Sequence, residues 1–305
     1  MKKNCLLGLS GLLLALIMLG SCKKNNTEST PDTKNNNGTP KHGLGAVLNQ
    51  KAYLATQAAD LDMIRTKLVQ KGYLNKLSVN STNALPASVI LNHPSIGDQG
   101  QTGTCVSWSS GYALMGTLNN EFPIANVSNP RSGWYVYQKD HSANNDCDPD
   151  DGMYVTGGLD VLQNYGVPAA NLDASLGSPC TAPSSAVNAS AATDKNVSSY
   201  AAISTVADIK KALSMRLPVE MGFNVYDSFE TAFDNGTVYS KTSGQYLGGH
   251  AICIIGYDDA KSAVLIQNSW GTSGGDSAHP GCMWLSYSVF TQSKMGIELY
   301  VAQPK

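Results

Sequence analysis

The pattern of apolar and polar positions divides this chain into stretches of different character. An apolar run, 6–19, follows a short basic start at Lys2 and Lys3. It is too short and too early for a membrane-spanning helix, and it reads as a secretory signal over 1–21. Residues 23–40 are rich in Asn, Thr and Lys, with almost nothing apolar to bury, so a disordered tether is expected there. Leu54, Ala58, Leu61, Ile64 and Leu68 then recur at helical spacing, which predicts an amphipathic helix over 52–71. Further helices are expected at 105–118, at 132–139, at 157–165 with Gly166 as its cap, and at 206–216 before Pro218. The Ala/Ser/Asn-rich stretch 184–199 reads as a long loop. Apolar runs at 219–223, 251–257, 264–267 and 283–287 read as strands. A helical half followed by a strand-rich half predicts an α+β fold of two lobes with a cleft between them.

Candidate chemistry enters where the 105–118 helix begins. The run Gln99-Gly100-Gln101-Thr102-Gly103-Thr104-Cys105 places a thiol after a turn and at a helix N-terminus. Unpaired backbone N–H groups and the helix dipole favour the thiolate there. Gln99 can fold back, so that its side-chain amide and the Cys105 N–H make an oxyanion hole. Downstream, His250 follows Gly249 and precedes Ala251. Asn268 and Trp270 follow the strand at 264–267. A Cys, then a His, then an Asn is an arrangement for thiol acyl transfer. His250 would take the thiol proton, Asn268 would fix the imidazole tautomer, and Trp270 would cover that bond from water.

These segments, Asp98-Gln99-Gly100…Cys105, Gly249-His250-Ala251 and Asn268-Ser269-Trp270-Gly271, match the papain family of cysteine peptidases in order and spacing. The resemblance covers roughly residue 85 to the C-terminus. It implies a papain-like fold, a helical lobe facing an antiparallel β-sheet or barrel lobe, with Cys105 and His250 on opposite sides of the cleft. It further implies hydrolysis of peptide bonds through a Cys105 acyl-thioester, with Gln99, Cys105, His250 and Asn268 as the catalytic set. Gly152-Met153 falls where the family has a Gly-Gly pair that adds the substrate backbone as a strand. Met153, Tyr154, Gly222, Gly249, Ala251 and Trp270 would join Gly152 around the substrate, and small Ala251 and Gly222 would admit a bulky apolar side chain. Four positions depart from the family pattern. Val106 replaces the Trp after the nucleophile, Thr102 a cysteine, Met153 the second glycine and Gly274 a second Trp. In the family, a segment such as 42–84 is a removable propeptide; here it is short, and a permanently docked helix fits equally well. The mature domain is expected over 85–305.

Cysteine usage and charge add the remaining expectations. Leu19-Gly20-Ser21-Cys22 resembles a bacterial lipoprotein cleavage box, so Cys22 would be lipidated and 22–41 would tether the enzyme to a membrane. That places the protein outside the cytoplasm, at the periplasmic face or cell surface, where disulfides persist. Cys147 with Cys180 resembles a family bridge. Cys253 and Cys282 could pair or stay as buried thiols. His42, His141 and His279 lie in polar surroundings and read as solvated, and His93 as a turn or surface residue. No His or Cys pair shows metal-ligand spacing, and no cofactor is expected. Formal net charge is -2, with no basic patch interleaved with aromatics, so a nucleic-acid partner is not expected. The expected partner is a peptide or protein substrate, bound by a monomer. Two other readings share these residues: an inactive peptide-binding lipoprotein, and a peptide acyl transferase using the same thioester.

Overall fold

The computed structural model describes residues 38–75, 85–122, 130–142, 147–172 and 179–305. The signal, the lipidation position Cys22 and most of the tether lie outside the described residues.

The strand-rich lobe is one antiparallel sheet. Its strands are β2 (Ser88–Ile90), β4 (Val197–Ile203), β5 (Val219–Tyr226), β6 (Tyr246–Asp258), β7 (Ala263–Gln267), β10 (Cys282–Ser286) and β11 (Glu298–Pro304). They run β10-β7-β6-β5-β11-β4, and β2 pairs with β6. Among the described residues the sheet is open, not a closed barrel. Strand β6 is buried over most of its length because both of its faces are covered, which is why its sequence is a near-continuous apolar run. In its register, His250 faces Phe223, Ala251 faces Gly222, and Cys253 faces Gln267. The residue after Gln267 is Asn268, so the sheet register itself brings Asn268 alongside His250. Cys282 also pairs with Gln267, on the far side of β7. Two strand spacings, roughly 9–10 Å, therefore separate Cys253 from Cys282, and both remain free buried thiols. Cys147 and Cys180 form a disulfide.

The helical lobe centres on the helix that begins at Cys105. Over Ser107–Leu114 it is wound as a π-helix with all eight residues buried, and it continues as α3 (Met115–Glu121). Ser109 and Ser110 both donate to the Val106 carbonyl, at 3.2 and 2.6 Å, competing with the backbone for that acceptor. Such competition favours local widening of a helix. Ser109 also bonds Glu220 on β5, which ties the helix to the sheet. Burial holds the Glu220 carboxyl well above its usual range, because the charged form loses its hydration there.

The sequence expectation for 52–71 is corrected in one respect. The segment forms two helices, α1 (Gln50–Ala55) and α2 (Leu61–Gln70). The break at 56–60 runs beside β4, where Ala59 N–H donates to the Ala202 carbonyl at 2.8 Å and Ala202 N–H donates to the Gln57 carbonyl at 2.9 Å. Those sheet bonds outweigh the helical periodicity of the side chains. Both helices are part of the core: Tyr53, Leu61, Ile64 and Leu68 are buried, and the Tyr53 hydroxyl donates to the Ile203 carbonyl. The stretch 184–199 is not a loop. It holds α6 (Ser185–Thr193), whose first turn Ser184 caps, and the start of β4. Ala-rich sequence with a serine at the N-cap is a helix signal. Beneath α6, fully buried Arg131 pairs with Asp194.

Candidate active site

Cys105 sits at the first turn of its helix and is completely buried. The N–H groups of Ala251, Val106 and Ala46 face its sulfur. The turn before it is held by hydroxyls where the family has a disulfide. Thr102 Oγ1 donates to the Gln99 carbonyl at 2.8 Å and meets Thr104 Oγ1 at 2.7 Å. Gln99 is buried, and its Nε2 donates to the Thr102 carbonyl at 2.9 Å. Its Oε1 accepts from Ser269 Oγ at 2.6 Å. With Oε1 fixed, one Nε2 hydrogen is committed to Thr102 and the second is left for another acceptor.

His250 Nε2 lies 2.8 Å from Asn268 Oδ1. The oxygen accepts, so Nε2 carries the proton and Nδ1 keeps a bare lone pair. Nδ1 is buried and has no hydrogen-bond partner, the Cys105 thiol included. Trp270 stacks on the imidazole, with centroids 4.6 Å apart. Phe229 and Phe233, from α8 (Asp227–Asp234), meet Trp270 edge-on at 5.6 and 5.2 Å. Phe233 fills the space at Gly274, where a Cβ would stand 2.5 Å from its ring. The missing second Trp therefore does not expose the His250–Asn268 bond. Burial pushes the Cys105 thiol up to about 12 and the His250 imidazole down to about 4. Both shifts disfavour the charged forms, so in this state the pair is a neutral thiol and a neutral imidazole.

The cause of that burial is a strap, residues 38–48, that occupies the cleft. Gly45 N–H donates to the Gly249 carbonyl at 2.9 Å on one wall, and Met153 N–H donates to the Gly45 carbonyl at 2.9 Å on the other. The two-residue strand β1 (Ala46–Val47) thus pairs, in parallel, with β3 (Met153–Tyr154). The added strand lies along Met153-Tyr154, not on Gly152, and it is the chain's own. The contact is between backbones, so side chains are excluded: a Cβ on Gly249 would overlap the Ala46 carbonyl, and one on Gly152 the Gly45 carbonyl. Leu48 sits at Gly222, where a Cβ would stand 2.9 Å from its Cδ2 and 2.6 Å from Val155 Cγ2.

Two histidine readings are corrected here. His42 is not solvated, because it belongs to the strap and stacks on Trp270 with centroids 4.4 Å apart. His141 is buried and stacks on Tyr137 at 3.8 Å. Ser269, Phe229, Phe233 and His42 carry no sequence signal of their own, since their partners lie far away along the chain. The glycines of His42-Gly43-Leu44-Gly45 were the one available hint of a close backbone approach.

The profile described as "Papain family cysteine protease" matches residues 91–300. This chain belongs to the papain family of cysteine proteases. A gut-specific cysteine proteinase of Caenorhabditis elegans is 42% identical over 83 residues, covering 27% of this chain and 25% of that relative. A peptidase C1-like protein of Acanthamoeba polyphaga mimivirus is 27% identical over 68% of each chain. Among solved structures, xylellain, a cysteine protease from Xylella fastidiosa, superposes with a TM-score of 0.68 at 20% identity. That match covers 87% of this chain and 97% of xylellain, and it establishes the fold.

Proposed function

We propose that the chain is a cysteine peptidase that cleaves peptide bonds through an acyl-thioester on Cys105. His250 Nδ1 takes the thiol proton and the sulfur attacks the scissile carbonyl carbon. The oxyanion is held by the Cys105 N–H and the uncommitted Nε2 hydrogen of Gln99. His250 then protonates the departing amine. Water, deprotonated by the same nitrogen, attacks the thioester and releases the carboxylate product and the free thiol. The observation that carries this reading is the imidazole itself. Its Nε2 is spent on Asn268, while Nδ1 is buried, bare and one residue from the amide that reaches the Cys105 sulfur. A purely structural histidine would have both nitrogens satisfied.

Leu48 against Gly222 and Val155 supports an aliphatic pocket on the substrate side, sized for leucine. Export and a lipid anchor on Cys22 rest on the sequence pattern at 1–22. For the segment 42–84, burial of α1 and α2 supports a docked accessory element over a removable one.

Peptide hydrolysis by purified protein tests the assignment. Cys105→Ala should abolish it. Gln99→Ala should fold normally and lose roughly 10²–10³ in kcat, as loss of one oxyanion donor does. Unchanged kcat in Gln99→Ala would remove that amide from the site.

A further inference from the structure

We infer that residues 38–48 are a reversible autoinhibitory strap, latched at one end and hinged at the other, that opens to admit substrate without being cut off. The inference rests on Cys105 and His250 being the reaction centre.

The latch lies beyond Trp270. Lys41 Nζ meets Asp234 Oδ2 at 2.6 Å, and the Lys41 and His42 N–H groups donate to Glu230 Oε1 at 2.8 and 3.3 Å. Trp270 Nε1 donates to the Gly43 carbonyl at 3.0 Å. The Lys41–Asp234 pair is at the surface, and such pairs are individually weak. The hinge is firmer. Asn49 caps α1 through a 2.9 Å bond from Ala52 N–H, and its own N–H donates to buried Glu298 at 2.5 Å. Beyond it, α1 and α2 are core elements, so the strap has one fixed and one releasable end.

Two features argue against self-removal. The strap pairs with β3 in parallel and runs on into α1 and α2, whose buried Tyr53, Leu61, Ile64 and Leu68 fix its C-terminal end in the core. The strap also uses the Met153 N–H and Gly249 carbonyl, the edge groups an extended substrate would use, so strap and substrate compete. A short tether gives the strap an effective concentration of order mM, enough to hold the cleft shut against dilute peptides and still yield to good ones.

Gly45 provides the test. Its φ is +138° and a Cβ there would overlap the Gly103 carbonyl, so Gly45→Val cannot seat the strap. The full chain is treated with iodoacetamide, alkylation of Cys105 is followed by peptide mapping, and intact mass and peptide hydrolysis are recorded in parallel. Gly45→Val should raise the alkylation rate at least tenfold and hydrolysis with it, at unchanged chain mass. A Lys41→Ala variant, which removes the ion pair with Asp234 and leaves the His42–Trp270 stack in place, should move both readouts in the same direction and covers a Gly45→Val chain that fails to fold. Equal alkylation of wild type and variants would overturn the strap, and activity that appears only after loss of 38–48 would overturn reversibility. Faster alkylation with no hydrolysis would uphold the strap and sink the peptidase assignment.

Discussion

Ser269 does for Gln99 what Asn268 does for His250. It takes the oxygen end of the amide, at 2.6 Å, and so leaves the nitrogen end to face the cleft. Without it the amide is free to flip and present an oxygen to a developing negative charge. Ser269→Ala should therefore lower kcat about 5–10-fold, the equivalent of one net hydrogen bond, with KM nearly unchanged. An equal rise in KM with constant kcat would mean that Ser269 acts on substrate binding alone. Cys105, His250, Asn268 and Gln99 stand out as candidates in the sequence because each sits in a short motif whose residues are neighbours. Ser269 was visible only as a letter between Asn268 and Trp270. Its partner is 170 residues away, and the isolated bridge between Asp98 and Trp270 brings them together.

At the scale of elements, α8 is the support behind the imidazole. Phe229 and Phe233 are fully buried and pack edge-on to Trp270, which in turn stacks on His250. Phe233→Ala would leave a cavity beside Gly274 and should cost about 3–5 kcal/mol in stability by denaturant unfolding. Trp270 would also lose an edge, so kcat should fall further than the fraction of folded protein does. A variant with full stability would show that Gly274 and its neighbours collapse into the space. The helix that begins at Cys105 and strands β5, β6, β7 and β10 were readable from periodicity and apolar runs, whereas β4 and β11 were not. The break between α1 and α2 was not, because the sequence keeps its helical spacing across 56–60 while tertiary bonds to β4 take over the backbone. Likewise α6 was hidden by composition, because Ala, Ser and Asn serve a loop as well as a capped helix.

For the whole molecule, two groups of carboxyls respond to pH with opposite sign. Burial raises Asp194 to about 6, against the pull of Arg131, and raises Glu298 to about 7. A raised folded-state value means the folded chain binds those protons more tightly than the unfolded one. Their stabilising contribution is complete below about pH 4 and is lost as pH rises through 6 and 7. The latch behaves the other way. Burial alone would raise Asp234, but Lys41 and His42 outweigh it and hold the carboxyl below its usual range. Closure of the strap is therefore favoured above the usual carboxylate range and weakened as pH falls through the depressed value. The titratable groups there are Lys41, His42, Glu230 and Asp234, and Asp234 is the one whose loss of charge frees Lys41. Acid should thus open the cleft while these two buried carboxyls favour the fold. The Trp270 indole N–H, bonded to Gly43 only while the strap is seated, reports on this directly. Its NMR resonance should move on lowering the pH below about 4, near the ordinary carboxylate range, while near-UV circular dichroism stays native. In Asp234→Asn it should already lie toward the open position at pH 7 and move little. A resonance that stays fixed down to pH 3, or that moves only when the fold is lost, would show that closure does not depend on the latch carboxylate.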